Sequence, residues 1–207
     1  MFFAGAFYCP NIIKYHQFQA LNCPPEIRNS LLENLMEFLS TIKKAIPDFA
    51  KDIRLNIDGT IARSSLAPED AIGVALASAY AAKSKFLVEQ FKQGLSEEDA
   101  NAALTAAALM GMNNVYYPYG EMAGDKQLQS LPAKLRMNAY ATHGGIDKVR
   151  FEVFALAASI VGKCHFCVQS HYKIAKDAGW TTEQMQDIGR IASVVNAAAM
   201  AIDVSAE

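Results

Sequence analysis

Neither sign of charge prevails in this sequence, whose 19 lysines and arginines face 21 aspartates and glutamates for a net charge of −2. A broad positive field is therefore missing, and with it the usual means of gathering nucleic acid or an anionic membrane surface. Long apolar runs are missing too. Lys, Glu, Asp or Gln interrupts each stretch before the roughly 20 residues that span a bilayer, so no membrane span is expected. Met1–Phe7 is apolar, but no basic residue precedes it and no small-x-small site clearly follows, so no secretion signal is read. Cysteine is scarce and unevenly placed, at Cys9, Cys23, Cys164 and Cys167. That excludes the disulfide framework of a small secreted domain and suits a reducing, cytoplasmic setting with one reactive pair. A chain of 207 residues buries enough core to need no staple.

Runs of β-branched residues are also absent, and no strong strand is read. What is there is helix after helix: apolar residues recur at three- and four-residue spacing among Ala, Leu, Met, Lys, Glu and Gln. The pattern predicts helices over Pro25–Ala45, Phe49–Arg63, Pro68–Lys83, Lys85–Gln93, Glu97–Tyr116, Leu131–Tyr140, Asp147–Val161, Cys164–Ala178 and Thr182–Val204. Pro68 suits a first helical turn, Gly94 and Gly179 suit C-terminal stops, and Ser96 and Thr181 suit N-caps, the latter with Gln184 as a capping box. Asn113 and Asn114 are expected to cap or turn a helix end. The segment Tyr117–Gln127, with Pro118, Gly120 and Gly124, is the expected linker between two halves.

Those halves resemble each other. Ala82-Lys83-Ser84-Lys85-Phe86-Leu87-Val88 aligns with Gly162-Lys163-Cys164-His165-Phe166-Cys167-Val168, and Gly94-Leu95-Ser96-Glu97-Glu98 with Gly179-Trp180-Thr181-Thr182-Glu183, with one gap between the blocks. The first half then carries Ser84, Leu87 and Phe91 where the second carries Cys164, Cys167 and His171. Neither Leu87 nor Phe91 can serve Ser84 as a base, so Ser84 reads as a degenerate copy.

At about 100° per residue, Cys164, Cys167 and His171 stand at about 0°, 300° and 340°, on one face of a helix. Cys164 opens that helix after Gly162, near the positive end of its dipole, where thiolate is favoured over thiol, and Lys163 adds to the field. His171 can accept the proton of Cys167, and the thiolate is the form that attacks a disulfide or a peroxide. Glu152 sits in an otherwise apolar helix, so it is either on a solvent face or held near a partner. If the chain folds back at Gly162, it can orient the imidazole of His171. His143 reads as a plain loop residue and Leu109-Met110-Gly111-Met112 as core packing.

The run Glu152-x11-Cys164-x2-Cys167-x3-His171 resembles the active-site signature of the alkylhydroperoxidase D (AhpD) family, within the larger AhpD and carboxymuconolactone decarboxylase superfamily. Ile46–Asn56, Leu109–Tyr116 and Leu135–Asn138 are similar to that family as well, and the likeness extends over about residues 36–203. It implies an all-α duplicated fold over residues 36–205, with a degenerate half at about 48–120 and an active half at about 128–205. Residues 1–35, with Cys9, Cys23 and His16, lie outside it.

The resemblance further implies a homotrimer whose dithiol reduces a partner peroxiredoxin of the alkyl hydroperoxide reductase C type or, weakly, organic hydroperoxides. Glu152 and His171 would relay the proton that ionises Cys167, and Cys164 would complete the disulfide. No tightly bound cofactor is implied; reducing equivalents would come from a lipoyl-bearing protein with a dihydrolipoamide dehydrogenase, or another dithiol donor. One departure stands out: the family places a histidine directly before the second cysteine, where this chain has Phe166, with His165 one place earlier. That shift turns a side chain about 100° around the helix.

Three rival readings compete. A structural zinc site would draw on Cys164, Cys167, His171 and His165, but tetrahedral sites usually take ligand pairs from separate segments, and His165 points off the shared face. A purely structural helical oligomer needs none of this chemistry. A carboxymuconolactone-type decarboxylase shares the superfamily fold but has no use for a C-x-x-C pair.

Overall fold

The computed structural model describes residues 38–205, and every element in them is helical. The N-terminal extension expected at residues 1–35 lies outside that range, as do Cys9, Cys23 and His16. Residues 38–45 are helical. After a 3-10 turn at Asp48–Ala50 come α1 (Lys51–Ile61), α2 (Pro68–Ala81), α3 (Lys85–Lys92), α4 (Glu97–Ala123), α5 (Lys126–Ser130), α6 (Asn138–Ala141), a 3-10 turn at His143–Gly145, α7 (Lys148–Gly162), α8 (His165–Asp177) and α9 (Thr182–Ser205).

Two of these helices are the centre of the core. In α2 all nine residues from Ala71 to Ala79 are buried, and in α7 all nine from Phe151 to Ser159. A helix apolar on every side must be surrounded, and α7 packs on α2, α4, α8 and α9 while α2 packs on α3, α4 and α9. Burying Phe151, Phe154 and Leu156 contributes about 1.5–3 kcal/mol each relative to exposure. By length and composition α9 could cross a membrane, which departs from the expectation that no stretch reaches that threshold. Its Met185, Ile188, Ile191, Val195 and Ala198 are nevertheless spent on the core.

Several local expectations hold. Pro68 occupies the first turn of α2, Ser96 Oγ accepts from the Asp99 amide, and Gly179 has the positive φ of a helix stop. Thr181 and Gln184 close a reciprocal capping box, with bonds of 2.9 and 3.1 Å.

Three expectations fail. The proposed linker Tyr117–Gln127 is mostly helix, because α4 runs through Pro118 and Gly120 to Ala123 and stops at Gly124, which takes the left-handed conformation. Asn113 and Asn114 therefore lie inside α4, where Asn114 Nδ2 donates to the Ala158 carbonyl of α7 at 3.1 Å. The expected helix Leu131–Tyr140 is reduced to Asn138–Ala141. Pro132 disfavours helical backbone in the residue before it, and Leu131 is extended (ψ 141°).

The turns α2–α3 and α7–α8 share their local geometry. Lys83 and Lys163 both adopt left-handed backbone, at φ 62° and 57°. In each turn the next residue's amide reaches back five residues, Ser84 to the Ala79 carbonyl at 3.1 Å and Cys164 to that of Ser159 at 3.3 Å. Ser84 Oγ then caps α3 by accepting from the Leu87 amide, as Cys164 Sγ caps α8 by accepting from the Cys167 amide.

Candidate active site

Cys164 and Cys167 are bonded to each other across the first turn of α8, with Cα atoms 5.3 Å apart. Helix geometry makes this possible, since residues i and i+3 share a face. As N-cap, Cys164 places its sulfur at the positive end of α8, 3.2 Å from the Cys167 amide. That hydrogen bond and the dipole both favour a thiolate once the disulfide opens. Both cysteines are buried, at 0% and 3% exposure.

One turn beyond Cys167, His171 is also buried. Its Nδ1 lies 2.6 Å from Glu152 Oε2 on α7, so the fold-back at Gly162 joins the two residues as the sequence suggested. Because Glu152 accepts, Nδ1 carries the hydrogen. The other ring nitrogen, Nε2, faces the Met110 sulfur of α4 at 3.2 Å. Met110 is core, as read from the sequence, but it is also a wall of this site.

Glu152 has no exposed surface at all. A buried charge without partners costs several kcal/mol, and here both oxygens are occupied: Oε2 by His171, Oε1 by the Tyr140 hydroxyl of α6. Burial pushes the carboxyl upward, but the hydrogen bonds from His171 and Tyr140 and the charge of His171 outweigh it and hold Glu152 below its ordinary value. Tyr140 goes the other way. Burial first, then the hydrogen bond to Glu152 and its charge, raise the phenol well above its ordinary value, so it stays a donor.

His165 lies apart from this cluster, exposed, with Nδ1 3.5 Å from Glu121. Phe166 is half-exposed and stacks on Tyr117 at 4.6 Å between ring centres. The two rings line one side of a cleft of about 460 Å³ together with Tyr116, Tyr119 and Leu131. Among the described residues no group of three or more His, Cys, Asp or Glu is arranged to hold a metal. His143 lies in the short turn His143–Gly145, with its ring 6.0 Å from that of Phe151 and 6.1 Å from that of Tyr140.

Sequence reasoning missed Tyr140 and the contact of Met110 with His171. No spacing rule links Tyr140 to Glu152, because an irregular segment of unpredictable path separates them. Asn114 was missed as a contact between α4 and α7, since it was read as a helix end.

The sequence profile of the Carboxymuconolactone decarboxylase family matches residues 126–206. Three similar proteins carry the name alkyl hydroperoxide reductase AhpD. That of Rhodospirillum centenum is 40% identical over 172 residues, covering 81% of this chain and 92% of that protein. That of Bradyrhizobium sp. strain BTAi1 is 38% identical, covering 81% and 94%, and that of Brucella canis 36%, covering 81% and 97%.

Proposed function

This chain belongs to the AhpD family, and from that premise we propose that it is a thiol–disulfide oxidoreductase of the alkylhydroperoxidase type. The observation that carries the reading is the Cys164–Cys167 pair at the start of α8, backed one turn later by the buried His171–Glu152 couple. In the reduced protein, His171 takes the proton of Cys167 and Glu152 stabilises the imidazolium. The thiolate attacks one sulfur of a partner peroxiredoxin's disulfide, and the other sulfur leaves as a thiolate and takes a proton. Cys164 then attacks the mixed disulfide, which forms Cys164–Cys167 and releases the partner as a dithiol. With an organic hydroperoxide, the Cys167 thiolate takes one oxygen and the alcohol leaves; Cys164 condenses with the sulfenic acid, and water is lost. A dihydrolipoyl group or another dithiol then reduces Cys164–Cys167 back to two thiols and is itself oxidised to a disulfide.

The remaining parts of this reading are a cytoplasmic homotrimer and a peroxiredoxin of the alkyl hydroperoxide reductase C type as partner. It also takes the first half, about 48–120, as a degenerate copy of the second, about 128–205. The shared left-handed lysines and sulfur-for-oxygen caps support that duplication.

The test is a coupled assay supplying dihydrolipoamide and an oxidised peroxiredoxin to the full-length chain. Cys164→Ser and Cys167→Ser are each expected to abolish turnover, while Ser84→Ala retains it. Wild-type protein that fails with dihydrolipoamide and with other dithiols, against both peroxiredoxin and organic hydroperoxide, ends the proposal.

A further inference from the structure

Glu152 is the one charged group in the buried run of α7, and its usefulness to His171 depends on its staying ionised there. A carboxylate with one oxygen satisfied and the other facing apolar side chains is driven toward protonation. Protonated, it no longer stabilises an imidazolium. The oxygen that His171 leaves free is taken by Tyr140.

We propose that Tyr140 is a positioning residue for the redox site, a donor that keeps Glu152 charged and aimed at His171 so that the thiol can ionise. The proposal rests on the relay described above and extends it by one residue outward. Tyr140 sits on α6, a four-residue helix, in a segment that shows little other regular structure. Its ring is held edge-on by Phe151 at 5.8 Å and by His143 at 6.1 Å. The left-handed Gly144 lets the His143 turn lie against Ala102 of α4, where a side chain would collide with backbone. The irregular segment thus delivers one hydroxyl to one carboxylate oxygen. The groups facing Glu152 are Tyr140 from α6, His171 from α8 and, at longer range on its own helix, Lys148.

The hydroxyl acts through Glu152, which sets the form of the test. Full-length wild type, Tyr140→Phe, Glu152→Gln and the double variant are reduced with excess dithiol and desalted. The rate of iodoacetamide alkylation is then followed against pH, with peptide mass spectrometry assigning the cysteine. Tyr140→Phe is expected to raise the midpoint of thiolate formation by about 0.5–1 pH unit, a roughly 3–10-fold slower reaction at pH 7 that recovers at alkaline pH. A merely loosened fold would not recover. Glu152→Gln should shift the midpoint at least as far, and the double variant no further than Glu152→Gln alone. A wild-type midpoint in Tyr140→Phe, or a Tyr140 effect that persists undiminished without Glu152, overturns the proposal while leaving the relay intact. If Glu152→Gln itself leaves the midpoint unmoved, the relay falls and the role of Tyr140 falls with it.

Discussion

Gly162 offers a sharp test of how the redox turn is held. It is the last residue of α7, in helical conformation, two residues before Cys164, and a Cβ placed there would collide with the side chain of Asn114 on α4, out to its amide nitrogen. Gly162→Ala therefore sets two effects against each other. Alanine gains at most about 1 kcal/mol of helix propensity over glycine. Against it stand overpacking, about 1–3 kcal/mol, and loss of the Asn114–Ala158 hydrogen bond, about 0.5–1.5 kcal/mol. The clash should win by about 0.5–3.5 kcal/mol, which for a chain of this size lowers the melting temperature by roughly 1–14 °C. Position 82, aligned with 162, is already alanine and sits in helical backbone, so the turn itself accepts a Cβ and the penalty belongs to Asn114. Thermal unfolding followed by circular dichroism reads the outcome, and Asn114→Ala in the Gly162→Ala background should restore part of the loss. A Gly162→Ala protein that melts at or above wild type would show that Asn114 does not hold this turn.

Two further outcomes concern Glu152. Its carboxyl is held below the ordinary 4.5 in the folded protein, so its charge contributes stability that is complete above that value and is lost as pH falls through the lowered one. The stability difference between wild type and Glu152→Gln should therefore shrink as pH falls below about 4.5. Asp70 and Glu69, raised mainly by burial, act in the opposite sense but equally in both proteins. A difference that widens with acid would refute the assignment. Glu152→Ile combined with His171→Leu should melt within about 4 °C of wild type or above it, because replacing both members of a buried, hydrogen-bonded polar pair with apolar side chains is often neutral or stabilising. A much larger drop would mean the pair is structural after all.

The parts of the fold legible in the sequence are those that a single helix decides. Spacing of three and four residues placed α2, α7 and α9 closely, and the caps at Ser96 and Thr181 fixed two starts, because each is a contact between residues three apart. Cys164, Cys167 and His171 were legible for the same reason, as one face of α8. Glu152 was legible as an anomaly, a carboxylate among Phe, Val, Ala and Leu. What could not be read is what neighbours decide. Pro118 and Gly120 are strong local stop signals, yet α4 continues, with its Tyr117 stacked on Phe166 and Asn114 bonded to α7. The reach of Tyr140 to Glu152 depends on where an irregular segment lies, and no periodicity encodes that.

The comparison of the two matching turns supports the proposed chemical role of the polar cluster over a role in stability. With the same offset that pairs Ser84 with Cys164, the positions matching Glu152, Cys167 and His171 around the α2–α3 turn are Ile72, Leu87 and Phe91, all buried at 4% exposure or less. The same helix–turn–helix geometry, with its left-handed lysine and capped second helix, thus forms around an apolar set. An apolar filling needs no Tyr140, no matched hydrogen bonds and no charge held out of water. Around the α7–α8 turn the fold carries all three demands, and an unpaired Glu152 or His171 there would cost several kcal/mol. Packing alone gives no reason to accept that exposure to failure, whereas ionising a thiol beside a second one does.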